Sequence, residues 1–171
     1  MRRDRRSLFV LAIAVATLGT ATWLELRRER ASIETLTTLD TSAVAHIEIR
    51  CSAVCRSRRF ERVSGAWRML EPYAAPADGV AVARLLAIAH APVRTRLDAA
   101  AVDPVKLGLA PAQVTLVLDG TTILIGDEDP IEHDRYVRIG DALLRVPDRF
   151  GARLYESPES ELEDRPAAPD H

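Results

Sequence analysis

The chain has almost no net charge: 23 Lys and Arg stand against 25 Asp and Glu, leaving −2. So close a balance argues against a general polyanion binder. No serine, threonine or cysteine sits in a recognisable nucleophile motif, so no acyl-transfer signature is present. No internal repeat is visible, and a repeat architecture is not expected. Cysteine is confined to Cys51 and Cys55, whose three intervening residues do not make the two-residue redox motif. The absence that decides most is local: between Arg6 and Arg27 the only charged side chain is Glu25.

Residues 7–24 read SLFVLAIAVATLGTATWL. About 18 residues at ~1.5 Å each make a helix of roughly 27 Å, close to the ~30 Å hydrocarbon thickness of a bilayer. Leu8, Phe9, Val10, Leu11, Ile13, Val15, Leu18 and Leu24 each favour the membrane centre by about 0.3–0.6 kcal/mol, which outweighs Gly19 and the threonines. Membrane lipid is thus the expected partner of a single transmembrane anchor over 7–26. Arg2, Arg3, Arg5 and Arg6 precede it and Arg27, Arg28 and Arg30 follow. The positive-inside count slightly favours a cytoplasmic N-terminus over residues 1–6, with the rest of the chain in the periplasm of a bacterial inner membrane. A cleaved signal peptide is the competing reading, with small residues at Gly19-Thr20-Ala21 and a weak twin-arginine hint at Arg5-Arg6. The length of the apolar run and its continuation through Trp23 favour the uncleaved anchor.

Beyond a juxtamembrane linker over 27–43, the region 44–156 is long enough for one domain with its own core. Residues 157–171 combine Pro158, Pro166 and Pro169 with Glu159, Glu161, Glu163 and Asp164, the composition of a disordered acidic tail. Period-two patterns predict strands over 44–50, 59–63 and 66–70, the last two around Ser64-Gly65. Asp78 is a good N-cap for a helix over 79–90, with Val82, Leu85, Leu86 and Ala89 at helical spacing and Pro92 forbidding continuation. The helix is otherwise mostly alanine, with Arg84 its one charge, and packing on two sides is preferred over a flat surface offered to a partner. Val114, Leu116 and Leu118, then Ile123 and Ile125 beyond Asp119-Gly120, predict a hairpin. A second runs over 135–139 and 142–146, and a short helix closes 147–155. The fold class expected is α+β: a mostly antiparallel sheet of hairpins with one central helix, preceded by a single N-terminal transmembrane helix.

Few residues suggest chemistry. The Cys51/Cys55 spacing can reach the ~5.5 Å Cα separation of a disulfide if the chain turns there. Such a pair suits an oxidising compartment. A redox-active pair, or a zinc site with His46 as third ligand, is less well supported because no helix follows and a fourth ligand is missing. Residues 127–134 concentrate Asp127, Glu128, Asp129, Glu132, His133 and Asp134 around Pro130. This density suits a solvated hairpin connection. A hard-cation site or a small metal-dependent hydrolase would need Asp127, Asp129, Glu132 and His133 to converge. The arginines between 50 and 68, interleaved with Phe60 and Trp67, form a basic stretch expected to be solvated or to meet lipid headgroups, the acidic tail or an acidic partner. The exterior location argues against nucleic acid. His90 is placed for a favourable contact at a helix C-terminus.

The order of landmarks carries a resemblance. Gly65-Ala66-Trp67-Arg68-Met69-Leu70-Glu71-Pro72, Ala77-Asp78 opening a helix with Leu85-Leu86, Leu107-Gly108-Leu109 with Pro111 before a strand, Ile125-Gly126, and Tyr136-Val137 before a closing strand to Val146 follow in turn. This arrangement over about 44–155 resembles the bacterial domain of unknown function 4340 family. The resemblance implies a membrane-anchored exterior domain, some relatives accompanying ABC-type transport or gliding-motility systems, with no established catalytic residues or cofactor. Read physically, Trp67 covers one end of a small core, Gly108 allows a bend at φ > 0 between two inward leucines, and Gly126 ends a strand. Pro72, Leu109 and Tyr136 are likewise scaffold. The function expected is a single-pass, membrane-anchored periplasmic binding module for an unidentified envelope protein. A metal-dependent hydrolase and a cleaved secreted ligand-binding module are the alternatives.

Overall fold

A computed structural model describes residues 34–52 and 55–163. The chain divides into the units Met1–Glu34 and Thr35–His171, and every element below belongs to the second. The expected anchor over 7–26 lies outside the described residues. Among those described, no helix is long and apolar enough to cross a membrane.

Among the described residues, nine strands form one sheet: β1 (His46–Cys51), β2 (Arg58–Val63), β3 (Ala66–Glu71), β4 (Ala75–Pro76), β5 (Thr95–Leu97), β6 (Val114–Leu118), β7 (Thr121–Glu128), β8 (Asp134–Ile139) and β9 (Ala142–Pro147). Their order is β4-β3-β2-β1-β6-β7-β8-β9-β5, with antiparallel pairing throughout. Two of the hairpins turn on two residues at positive φ, Ser64-Gly65 (51° and 86°) and Asp119-Gly120 (44° and 98°), the geometry that matches strand twist. Asp119 also ties the sheet together. Its carboxylate accepts from the backbone N–H groups of Ala45 and His46, each at 2.8 Å, fixing where β1 begins.

Alternation sorts the side chains. Ile47, Ile49, Phe60, Met69, Val114, Leu116, Leu118, Ile123, Ile125, Val137, Leu144 and Val146 share one buried cluster with residues of the helix. Each such buried aliphatic contributes about 1.5–3 kcal/mol. Helix α1 (Gly79–Leu86) starts where the Asp78 carboxylate accepts from Val80 N–H and turns Val82, Leu85 and Leu86 inward. A 3₁₀ turn, Ala87–His90, continues it and buries Ile88 and Ala89. The opposite face of β7, β8 and β9 carries a second cluster, in which Leu107, Leu109 and Leu143 pack with Leu124 and Tyr136. A mostly antiparallel sheet with one principal helix is therefore an α+β domain.

Four expectations need correction. Helix α1 is packed on one side only: Val80, Ala83, Arg84 and Ala87 are exposed, because among the described residues no second layer lies over it. The domain begins earlier than residue 44, since Leu36 N–H donates to Ala91 carbonyl and Thr37 N–H to Ala89 carbonyl, both at 2.9 Å, and Leu36 is buried. It also ends later than 156. A 3₁₀ turn, Pro158–Glu161, buries Pro158 and Glu161, Asp78 N–H donates to Glu161 carbonyl, and Leu162 bridges Ala77. Only 164–171 of the expected tail lies outside the described residues. Finally, Gly126 sits inside β7 rather than at its end. Its bare Cα lets the Leu107 carbonyl approach where a Cβ would collide, and Leu109 Cγ would lie 2.9 Å from that Cβ.

Candidate functional site

The two cysteines are joined. Cys51 at the end of β1 and Cys55 form a disulfide with Cα atoms 5.4 Å apart, closing the connection into β2. His46 points elsewhere, its Nδ1 3.0 Å from Asp119 Oδ1.

The basic stretch is largely consumed within the chain. Arg59 pairs with Glu71 and Arg50 with Glu48. Arg62 lies over the Trp67 ring at 5.8 Å and donates to Ser42 carbonyl. Arg56 meets Glu159, whose carboxylate also accepts from the Tyr73 hydroxyl. Arg58 departs most from expectation: it lies on the inner face of the sheet, 1% exposed. Its Nε stands 2.7 Å from Glu161 Oε2, and its two Nη groups donate to the carbonyls of Arg56, Leu154 and Arg153. Burial pushes the Glu161 carboxyl up to about 7, with Arg58 opposing the shift. The acidic segment expected to be a free tail is thus what neutralises the buried end of the basic stretch.

The acidic connection between β7 and β8 also differs from a solvated loop. Asp129 and Asp134 are buried. Oδ1 of Asp129 accepts from the N–H groups of Ile131 and Glu132, and Oδ2 accepts from the Tyr136 hydroxyl at 2.7 Å. The Glu132 N–H bond leads the causes that lower the Asp129 pKa to about 2. Asp134 is held between Arg94 and Arg145, with Nε atoms at 3.2 and 3.3 Å. The four residues a hydrolase would require go separate ways: Asp127 accepts from Gln113 beside Gly108, Asp129 faces Tyr136 and Arg145, Glu132 meets Arg94, and His133 meets Glu128. Among the described residues, no group of three His, Cys, Asp or Glu side chains is gathered as a metal would need.

Some of the structurally central residues carried no signal in the sequence. Arg135, 6% exposed, pairs with Asp148 and donates from Nη1 to Gly126 carbonyl and the Tyr155 hydroxyl, both at 3.1 Å. Asp148 in turn accepts from Gly151 N–H at the start of α2 (Gly151–Leu154). Only their charge marked them, and charge ordinarily marks a surface. Among the landmarks, Trp67 is half-buried against the core, Gly108 has φ 64°, and the peptide bond before Pro72 is cis.

Two open depressions flank α1. One of about 240 Å³ is lined by Asp78, Arg84, Arg153, Glu156, Ser160 and Glu161 among others. The other, about 250 Å³, has an apolar floor that includes Ile88 and Phe150, and a rim of Arg84, His90, Arg149 and Arg153. In the first, the Ser160 hydroxyl donates to Glu156 Oε2 at 3.4 Å and to Ser157 carbonyl at 2.7 Å.

A family model described as Domain of unknown function (DUF4340) matches residues 67–168, more than half of the chain. The match begins at Trp67, leaving out β1, the disulfide and β2, and runs past Tyr155 through the turn that carries Glu161. No curated protein matches the chain, and no solved structure matches it.

Proposed function

The chain belongs to the family described as Domain of unknown function (DUF4340), and from that premise we propose that it is a single-pass, membrane-anchored module exposed in the periplasm. It works by binding an envelope protein, as an accessory to an ABC-type transport or similar membrane complex. The observation that carries this reading is the Cys51–Cys55 disulfide in a chain whose residues 7–24 form an uncharged, mostly apolar run. A disulfide persists in an oxidising compartment, and an apolar run of that length spans a bilayer. Binding is preferred over turnover because the carboxylates of the 127–134 stretch are spent on arginines, a tyrosine hydroxyl and backbone N–H groups. Two open depressions beside an exposed helix face are left for a partner.

Alkylation of the denatured, membrane-extracted chain tests the compartment. Without reductant the chain gains no adduct, and with reductant it gains one at each cysteine. Free thiols in the chain as isolated would contradict export.

A further inference from the structure

We propose that the groove between α1 and the 147–153 segment is a docking surface for anionic lipid headgroups, seating the domain on the bilayer to which the chain is tethered. This rests on the membrane-anchored reading above and names the partner of one face.

The groove is chemically one-sided. Arg84, Arg149 and Arg153 make no side-chain hydrogen bond or ion pair among the described residues, whereas the arginines from 50 to 68 are all occupied. No carboxylate lines the groove. Arg84 and Arg153 also border the neighbouring depression, where Asp78, Glu156 and Glu161 stand, so the cationic rim is the divide between the two. His90 adds a fourth basic group, its Nε2 2.9 Å from Leu39 carbonyl. A phosphate diester is the fitting counter-charge, because guanidinium groups bind phosphate oxygens in a fork and tolerate partial desolvation. The floor of Ile88, Ala91, Pro92, Pro147 and Phe150 suits glycerol and the first methylenes of acyl chains, not a hydrated acidic peptide.

Placement points the same way. The chain enters the domain along this wall: Thr35 bridges Pro92, and Leu36 and Thr37 bond to Ala91 and Ala89. The segment that follows the proposed anchor in sequence therefore joins the domain beside this groove.

The test uses the full chain with its disulfide intact, labelled with a fluorophore at Ala83→Cys, which is exposed beside the groove without lining it, or at Asp141→Cys on a distant hairpin. The chain is reconstituted in phosphatidylcholine vesicles with and without phosphatidylglycerol, all carrying a headgroup nitroxide quencher. The Ala83→Cys label is quenched more strongly when phosphatidylglycerol is present. The Asp141→Cys label is indifferent, and R149E/R153E or high salt abolishes the difference. Equal quenching at Ala83→Cys in both lipids overturns the groove while leaving the anchor intact. Failure to float with phosphatidylcholine overturns the anchor. If phosphatidylglycerol then still recruits the chain in an Arg149/Arg153-dependent way, the groove stands, and failure to float with either lipid overturns both. Binding of poly-glutamate that depends on Arg149 and Arg153, without lipid quenching, would assign the groove to an acidic protein and overturn the proposal.

Discussion

Nε of Arg58 and Oε2 of Glu161 lie 2.7 Å apart with both side chains sealed from solvent, joining β2 to the last turn of the domain. The two ends of this pair are not equivalent. A buried carboxyl can take up a proton, whereas a guanidinium keeps its charge at any pH a protein survives.

Glu161→Leu, which strands the Arg58 cation, is expected to cost about 3–5 kcal/mol, as does removal of one partner from other buried pairs. Arg58→Met should cost less at mildly acidic pH, where Glu161 becomes neutral. The double variant should recover most of the loss. Urea denaturation of the three proteins measures this, and a Glu161→Leu cost below about 1 kcal/mol would contradict a buried pair. For the same reason a chain ending at residue 156 should be far less stable than one ending at 163.

Stability should carry two opposite pH dependences. Glu161 is raised from its ordinary 4.5 to about 7, so the folded state holds its proton more tightly than the unfolded chain does. Its contribution is full below about 4.5 and is lost as pH rises through about 7. Asp129 is lowered from 3.8 to about 2. Its contribution is full above about 4 and disappears as pH falls through about 2. Urea midpoints against pH should therefore decline from pH 5 to 7 and also collapse near pH 2–3. Glu161→Gln flattens the upper limb and Asp129→Asn the lower. A limb unchanged by its own substitution would contradict the assignment.

Hairpins were legible because Val114, Leu116 and Leu118 alternate cleanly and a glycine stands in each of the turns at 65, 120 and 140. The Asp78 cap and Pro92 bounded the helix in the same way. Strands β4 and β5, of two and three residues, are too short for any period to register. Residues 157–163 read as tail because composition averages over a segment, and one inward glutamate with one proline is invisible to an average. The burial of Asp129 and Asp134 is not legible locally because their cationic partners, Arg94 and Arg145, come from the approach to β5 and from β9, and sheet order is not written in local pattern.

Gly126→Ala should cost on the order of 3 kcal/mol, since the new methyl meets the backbone carbonyl of Leu107, which has no rotamer to yield. Gly79→Ala, where a Cβ meets open space at the start of α1, should be neutral or stabilising by up to about 1 kcal/mol. Thermal denaturation of the pair checks the claim, and equal melting temperatures would refute the close approach.

Replacing both cysteines by serine closes no loop in the unfolded chain and should cost about 2 kcal/mol, the value for so short a ring. Chemical denaturation with and without reductant gives the same comparison in the native sequence. A larger loss would mean that the bridge organises more than the β1–β2 connection.

The proposed function requires the domain to lie outside the membrane while the N-terminal apolar run stays in it. A membrane-impermeant thiol reagent applied to intact cells carrying Asp141→Cys, followed by carbonate extraction, examines both halves at once. The account predicts a full-length chain that is labelled before lysis and retained in the carbonate-washed pellet. Labelling only after lysis, or release of the full-length chain by carbonate, would contradict it.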